Sequence, residues 1–339
     1  MSKKYKNALV LMKAMPPHLG HLYLIDTAID HSDEVHIIIC HNKDQPIPGD
    51  IRFNCIKDIY SNTSGVTTYS FDDIGLPQSD KESPSLDEFY SFWVPAVYGI
   101  VEDLDVVFTS EDYGDDFARY LGIEHFLVDR YRKKYPISGT EIRNDPMKNW
   151  KFIPKDMRSF FIKKIAIVGP ESVGKTTLVQ NISSYFNTNF VPEYGRMVSE
   201  NNPNLKIDDF LNISIGRQEL EDWLMEYSNK LIICDTEDIV TYTYSKMYCP
   251  SSDHLKYEDY FVDKITKSKY DMIILLTPDC DSVQDGTRMF IDDIDDRWDH
   301  YNKIKANLDR FDKSYVEVGG DWESRYRSSK KNISKLIYS

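Results

Sequence analysis

The chain has 339 residues, 41% of them hydrophobic and 28% charged, with a formal net charge of −14. That length suits two domains better than one core, and the acidic balance excludes a broad nucleic-acid or anionic-lipid surface while leaving room for local anion sites. The five cysteines, at positions 40, 55, 234, 249 and 280, form no CxxC pair and no metal-ligand spacing, which predicts reduced thiols in a cytoplasmic protein.

No apolar run approaches the ~20 residues needed to span a bilayer. The opening "MSKKYKNALVLMKAM" reads as a first strand rather than a signal segment. No membrane and no nucleic-acid partner is expected. The oligomeric state stays open, a homo-oligomer being allowed.

In chain order, "NALVLM", "EVHIIIC", "GVTTYSF", "DVVFTS" and "HFLV" are short apolar or β-branched runs. Segments of helical length separate most of them, including 20–31, 50–61 and 86–102. This alternation predicts a parallel sheet with helices on its faces. Just after the first predicted strand, "MKAMPPHLGHLYLI" places His18 and His21 where a helix should begin. Two imidazoles beside unpaired helix N–H groups suit the phosphates of a bound nucleotide. By themselves they are equally two surface histidines, and no further His or Cys set supports a zinc site.

A second stretch, "ISGTEIR" at 137–143, closes the first series. Ser138 and Thr140 would donate at a helix start, and Arg143 would face the same anion about one turn on. Alone, this is an N-capped helix. Together the two stretches describe one phosphate site built from both ends of a domain. The aromatic segment "FYSFWVPAVYG" offers Trp93 as a ring-stacking candidate, with a buried helix face as the competing assignment.

The stretch 150–161 shows neither helical nor strand period and separates the two series. The second series runs "KKIAIVG", "NFVPEYG", "KLIICDTE", "YDMIILLTP" and "SYVEVGG", with helical candidates at 174–186, 208–228 and 295–310. After its first strand, "GPESVGKTT" fits G-x-x-x-x-G-K-[ST] without a mismatch from Gly169 to Thr176. Gly169, Glu171, Ser172, Gly174 and Thr177 would cradle phosphate beside Lys175, which reaches the β and γ phosphates of ATP. The Thr176 hydroxyl would bind Mg²⁺.

Asp235 ends a predicted neighbouring strand and is the candidate second metal ligand, an ordinary N-cap aspartate being the alternative. In "PEYGR", Glu193, Tyr194 and Arg196 sit at the predicted ligand-binding sheet edge, or equally in a surface loop. The polar segment "PDCDSVQDGTRMFIDDIDDR" reads as a lid whose Arg288 would close on the transferring phosphoryl group, or as a plain acidic loop.

The two first-half stretches resemble the HxGH and ISxTxxR motifs of the nucleotidylyltransferase superfamily. With "TSEDYGDDFARYLG", "GPESVGKTTL", "PEYGR" and "QDGTR" following in order, nearly the whole chain resembles the NadR family. That family joins a nicotinamide-mononucleotide adenylyltransferase to a ribosylnicotinamide kinase. The resemblance implies an α/β chain with a Rossmann-like nucleotidylyltransferase domain at 1–155 and a P-loop kinase domain at 156–339, each a parallel sheet flanked by helices.

It implies ATP and Mg²⁺ as cofactors, and phosphorylation of nicotinamide riboside to the mononucleotide followed by adenylylation to NAD and pyrophosphate. His18, His21 and Arg143 would be catalytic in the first domain; Lys175, Asp235 and Glu193 in the second. Tyr194, Arg196 and Trp93 would contact substrate. The usual approach to HxGH is G-x-F-x-P-x-H, and here Met12 and Ala14 replace the Gly and Phe. That departure motivates an alternative, a nucleotide-sensing first domain without turnover. A sulfurylase–adenylylsulfate kinase pair is the enzymatic alternative. The chain reaches its first strand by about residue 7, which leaves no room for the helix-turn-helix segment of some relatives and predicts no DNA binding.

Overall fold

A computed structural model describes residues 3–78, 85–199, 204–249, 251–280 and 294–338. The chain divides into two units, Met1–Arg158 and Ser159–Ser339. In the first, strands β1 (Tyr5–Met12), β2 (Ser32–His41), β3 (Val66–Asp72), β4 (Val106–Thr109) and β5 (Glu124–Leu127) alternate with helices α1 (Leu19–His31), α2 (Gly49–Tyr60), α3 (Leu86–Tyr98) and α4 (Gly114–Leu121). Helices α5 (Gly139–Asn144) and α6 (Lys155–Arg158) follow. All pairings are parallel, in the order β3-β2-β1-β4-β5.

The apolar runs become strands because this sheet is covered on both faces. Ala8, Val10 and Met12 of β1 point into one core with Val35, Ile37 and Ile39. Leu9 points into the other, with Ile38, Val107, Tyr90 and Trp93. A strand buried on both sides loses the polar alternation of a half-exposed one. The predicted helix at 86–102 stops earlier, at Tyr98, where Gly99 caps it.

The second unit holds β6 (Lys163–Val168), β7 (Phe190–Val191), β8 (Leu231–Asp235), β9 (Met272–Leu276) and β10 (Val316–Val318). Between and after them lie α7 (Lys175–Phe186), α8 (Tyr194–Ser199), α9 (Ile207–Met225), α10 (Asp238–Tyr248), α11 (Ser251–His254), α12 (Glu258–Lys267), α13 (Ile294–Arg310) and α14 (Trp322–Tyr338). The sheet is again parallel, ordered β10-β9-β6-β8-β7.

The predicted strand around "NFVPEYG" shrinks to two residues, because Pro192 lacks the N–H that would continue the ladder. Each unit is thus the predicted α/β class, with its first strand inside the sheet and neighbours fed from opposite directions. In such sheets the crevice beyond the carboxyl ends of the strands receives ligand. Among the described residues no helix is long and apolar enough to cross a membrane, and all five cysteines are free thiols.

Candidate functional site

In the first unit the chain leaves β1 and enters α1 through a cap made of histidines. His18 is the N-cap residue, and its Nδ1 accepts from the Gly20 N–H at 3.1 Å. In return the His18 N–H donates to Nδ1 of His21 at 3.3 Å. The three-residue spacing of H-x-x-H is that of a capping box, and the two ring centroids lie 3.8 Å apart with the planes tilted by 30°. With both Nδ1 atoms accepting, a neutral imidazole must carry its proton on Nε2.

Burial, and then the nearby Arg132 charge, holds His18 down to about 4. Burial, with His18 and Arg132 adding, keeps His21 well below its ordinary value. The pair is therefore a neutral double donor, not a cationic one, at neutral pH.

The second stretch meets the first. Ser138 caps α5 by accepting from the Glu141 N–H at 3.2 Å. Arg143 donates to the Met15 carbonyl, and also to Thr140 Oγ1 at 3.0 Å. A side chain at Gly139 would lie 2.4 Å from that same Met15 oxygen, so only glycine lets α5 begin against the β1–α1 loop. A small cavity of about 60 Å³ opens beside His18 and His21, walled also by Ser110, Glu111 and Arg132.

Arg132 escaped the sequence reading, although the basic run "RYRKK" before "ISGT" signalled it. Trp93 does not join this cavity. It is 7% exposed, packs against Phe71 and Phe89, and donates its indole N–H to the Pro77 carbonyl at 3.0 Å. The competing assignment, a core aromatic on a helix face, describes its surroundings. Met12 is likewise buried in the core, and Ala14 holds a left-handed backbone at φ 44°.

In the second unit the phosphate loop follows β6. Gly169 and Gly174 take φ values of 149° and 83°, conformations that suit glycine. Lys175 is buried, and its Nζ donates to the Pro170 carbonyl at 2.8 Å. The next residue, Thr176, donates its hydroxyl to Asp235 Oδ2 at 2.6 Å. The two lie 59 positions apart in sequence; the sheet joins them because β6 and β8 are neighbours.

The other Asp235 oxygen, Oδ1, is buried with no hydrogen-bond partner among the described residues. Burial and the Glu193 carboxylate push this acid up to about 6, against the pull of Lys175. Glu193 sits beyond β7 and pairs with Arg196 at 3.3 Å. Glu171, Ser172, Lys175, Glu193, Tyr194 and Arg196 all line one cavity of about 510 Å³.

Two further cavity residues carry no signal in the sequence. Arg217, inside α9, is fixed by Glu221 at 2.7 Å and Asp238 at 2.6 Å. Tyr244, on α10, has a buried hydroxyl without a partner among the described residues. Gly169 and Thr177 belong to the loop and the first turn of α7. Arg288 and most of the proposed lid lie outside the described residues.

Comparison with known proteins adds context to this geometry. Residues 164–325 match the AAA domain family, and residues 7–76 match the citrate lyase ligase C-terminal domain. The trifunctional NAD biosynthesis/regulator protein NadR of Escherichia coli K12 is 30% identical over 341 residues, covering 94% of this chain and 80% of its own length. The protein of the same name from Salmonella typhimurium LT2 is 27% identical over 360 residues, covering 99% and 84%. Among solved structures, a NadR protein in complex with NR aligns with a TM-score of 0.82 at 20% identity, covering 100% of this chain and 98% of that one. A NadR protein in complex with NAD and AMP-PNP aligns at 0.81 and 20%, with the same coverage.

Proposed function

This chain belongs to the NadR family, and from that premise we propose that its two units carry consecutive steps of NAD biosynthesis. The second unit phosphorylates nicotinamide riboside with ATP to give the mononucleotide. The first joins that mononucleotide to the adenylyl group of another ATP, releasing pyrophosphate and NAD. What carries this reading is one shared observation: in each unit, motifs far apart in sequence meet, Met15 with Arg143 in the first and Thr176 with Asp235 in the second.

In the kinase unit, Lys175 and the loop amides receive the ATP phosphates, and Glu193, Tyr194 and Arg196 face the riboside across the shared cavity. Glu193 is positioned to take the proton of the attacking hydroxyl as it bonds to the γ-phosphorus. Mg²⁺ fits the residues present: a buried Asp235 oxygen has no partner, and the Thr176 hydroxyl lies beside the other. Among the described residues no cluster of three or more His, Cys, Asp or Glu could hold a metal. That agrees with an ion held by one carboxylate, one hydroxyl and substrate phosphates. When bound, the ion neutralises charge on the β and γ phosphate oxygens.

In the adenylyltransferase unit, the Nε2 protons of His18 and His21, with Ser138, Thr140 and Arg143, hold the triphosphate. Attack of the mononucleotide phosphate oxygen on the α-phosphorus breaks the α–β bridge, and these donors stabilise the departing pyrophosphate. No side-chain nucleophile is needed; positioning and charge stabilisation suffice. The acidic balance and free thiols support a cytoplasmic enzyme without a nucleic-acid partner.

The test is chromatography of products from purified protein, ATP and Mg²⁺ supplied with nicotinamide riboside, and in parallel with the mononucleotide. NAD from both is expected. A riboside reaction that stops at mononucleotide, with added mononucleotide unconverted, would leave the kinase standing and make the first unit a nucleotide sensor.

A further inference from the structure

Arg325 lies on α14, 150 residues beyond the phosphate loop, and its side chain is one of the largest in the protein to be almost wholly buried. Such a charge is costly unless every donor finds a partner. The guanidinium answers with four hydrogen bonds to separate pieces of the second unit. Nε donates to the Gly320 carbonyl at 2.8 Å, and Nη2 to the Thr277 carbonyl at 2.9 Å and Asp279 Oδ1 at 2.5 Å. Nη1 donates to the carbonyl of Val173 at 2.7 Å. Val173 is the loop residue immediately before Gly174 and Lys175.

That last contact bears on the site. In a trans peptide the C=O and the following N–H point in opposite directions. Fixing the Val173 carbonyl toward Arg325 therefore turns the Gly174 N–H away from it. Gly174 is the residue whose left-handed φ of 83° directs the loop into α7.

The opposite end of the loop is tied differently. The Pro170 carbonyl accepts from Lys175 Nζ at 2.8 Å, a group that ATP phosphates would claim. One tie is exchangeable, while the Arg325 tie has no reason to yield when nucleotide arrives. The segment that supplies Arg325 is itself anchored, since Asp279 Oδ2 accepts from the Gly320 N–H at 2.8 Å.

We propose that Arg325 is a positioning residue for phosphoryl transfer, holding the Val173–Gly174 peptide so that the loop is set for the phosphates before ATP binds. This rests on the reading of residues 169–176 as the ATP site. It goes beyond that reading by making a distant helix part of the loop.

The full chain is compared as wild type, R325M and R325K by calorimetric titration with Mg²⁺ and AMP-PNP, riboside kinase kinetics and thermal unfolding. Both variants are expected to raise the KM for ATP and the Kd for AMP-PNP at least about tenfold, since sub-ångström misplacement of a contact is costly. The KM for riboside should stay within about twofold, the two sites being separate contacts.

R325K keeps a cation for Asp279 but cannot span all four acceptors, so it decides the matter if R325M does not fold. A lowered unfolding midpoint with unchanged KM for ATP in R325K would overturn the proposal and leave Arg325 a purely structural residue. Wild-type protein without Lys175-dependent AMP-PNP binding would overturn the ATP-site reading itself, and the proposal with it.

Discussion

The two units begin alike and end differently. Each sets its first strand inside a five-stranded parallel sheet and places a candidate anion-binding loop directly after it. The first unit then builds its site from side chains. Two imidazoles, made neutral by burial, cap the helix and present Nε2 donors, and Arg143 reaches across from α5. The second unit builds on a glycine-bearing loop, with Lys175, Thr176 and Asp235 adding side chains for phosphate and metal. On the proposed reading, one fold class thus supports two anion sites of opposite design. A site made of rotamers should be sensitive at several positions; a site made of amides should be sensitive at few, but severely.

The sharpest break of that comparison is Lys175→Ala. Riboside phosphorylation should fall at least about a thousandfold, since the loop amides cannot replace the cation at the transferring phosphate. Conversion of added mononucleotide to NAD should persist at wild-type rates. Loss of both activities would mean that the units do not act independently.

His18→Ala or His21→Ala comes next, with adenylyl transfer reduced about a hundredfold and the kinase untouched. His18→Ala carries an additional stability cost of about 1 kcal/mol from the lost cap. Two separate assays on each variant, one per step, decide the matter.

A pH series sharpens the same contrast. Asp235 is an acid raised to about 6, so the folded unit favours its neutral form. Its contribution to stability is present below the ordinary carboxylate value and is lost as pH rises through about 6. Metal binding needs the ionised form. Kinase activity at limiting Mg²⁺ should therefore fall about tenfold per pH unit below 6, and raising Mg²⁺ should move the midpoint down.

His18 titrates near 4 in the free protein, so adenylyl transfer should show no matching step between pH 5 and 8 from that group. A common midpoint for both activities would contradict the distinct environments of the two sites.

What the sequence revealed and what it hid follow one physical rule. Strands buried on both faces, such as Tyr5–Met12 and Leu231–Asp235, announce themselves as unbroken apolar runs. Loops with special backbone needs, such as Gly169–Lys175, announce themselves by glycine spacing. Both signals are local.

Arg325 was invisible because it acts from within a helix on partners brought near only by the fold, and Arg217 and Tyr244 because only packing makes them line the cavity. A buried arginine in a helix reads in sequence like any solvated one. Arg132 was partly legible, since its basic neighbours mark the approach to "ISGT". The histidine capping box was legible as spacing, but its neutrality was not, because that depends on burial.

Trp93 gives the smallest expected effect and the finest test. The sequence allowed it to stack on a substrate ring; the structure encloses it among Phe71, Phe89 and the Pro77 carbonyl. Trp93→Phe removes one buried hydrogen bond and part of a packed ring, a cost of about 1–3 kcal/mol. A urea unfolding curve should show that loss as a lower midpoint with unchanged slope. The KM for the mononucleotide should not move, because the lost contacts face the core of the sheet and not the cavity beside His18. A severalfold rise in that KM with the midpoint intact would restore Trp93 to the substrate and show that α3 borders the site.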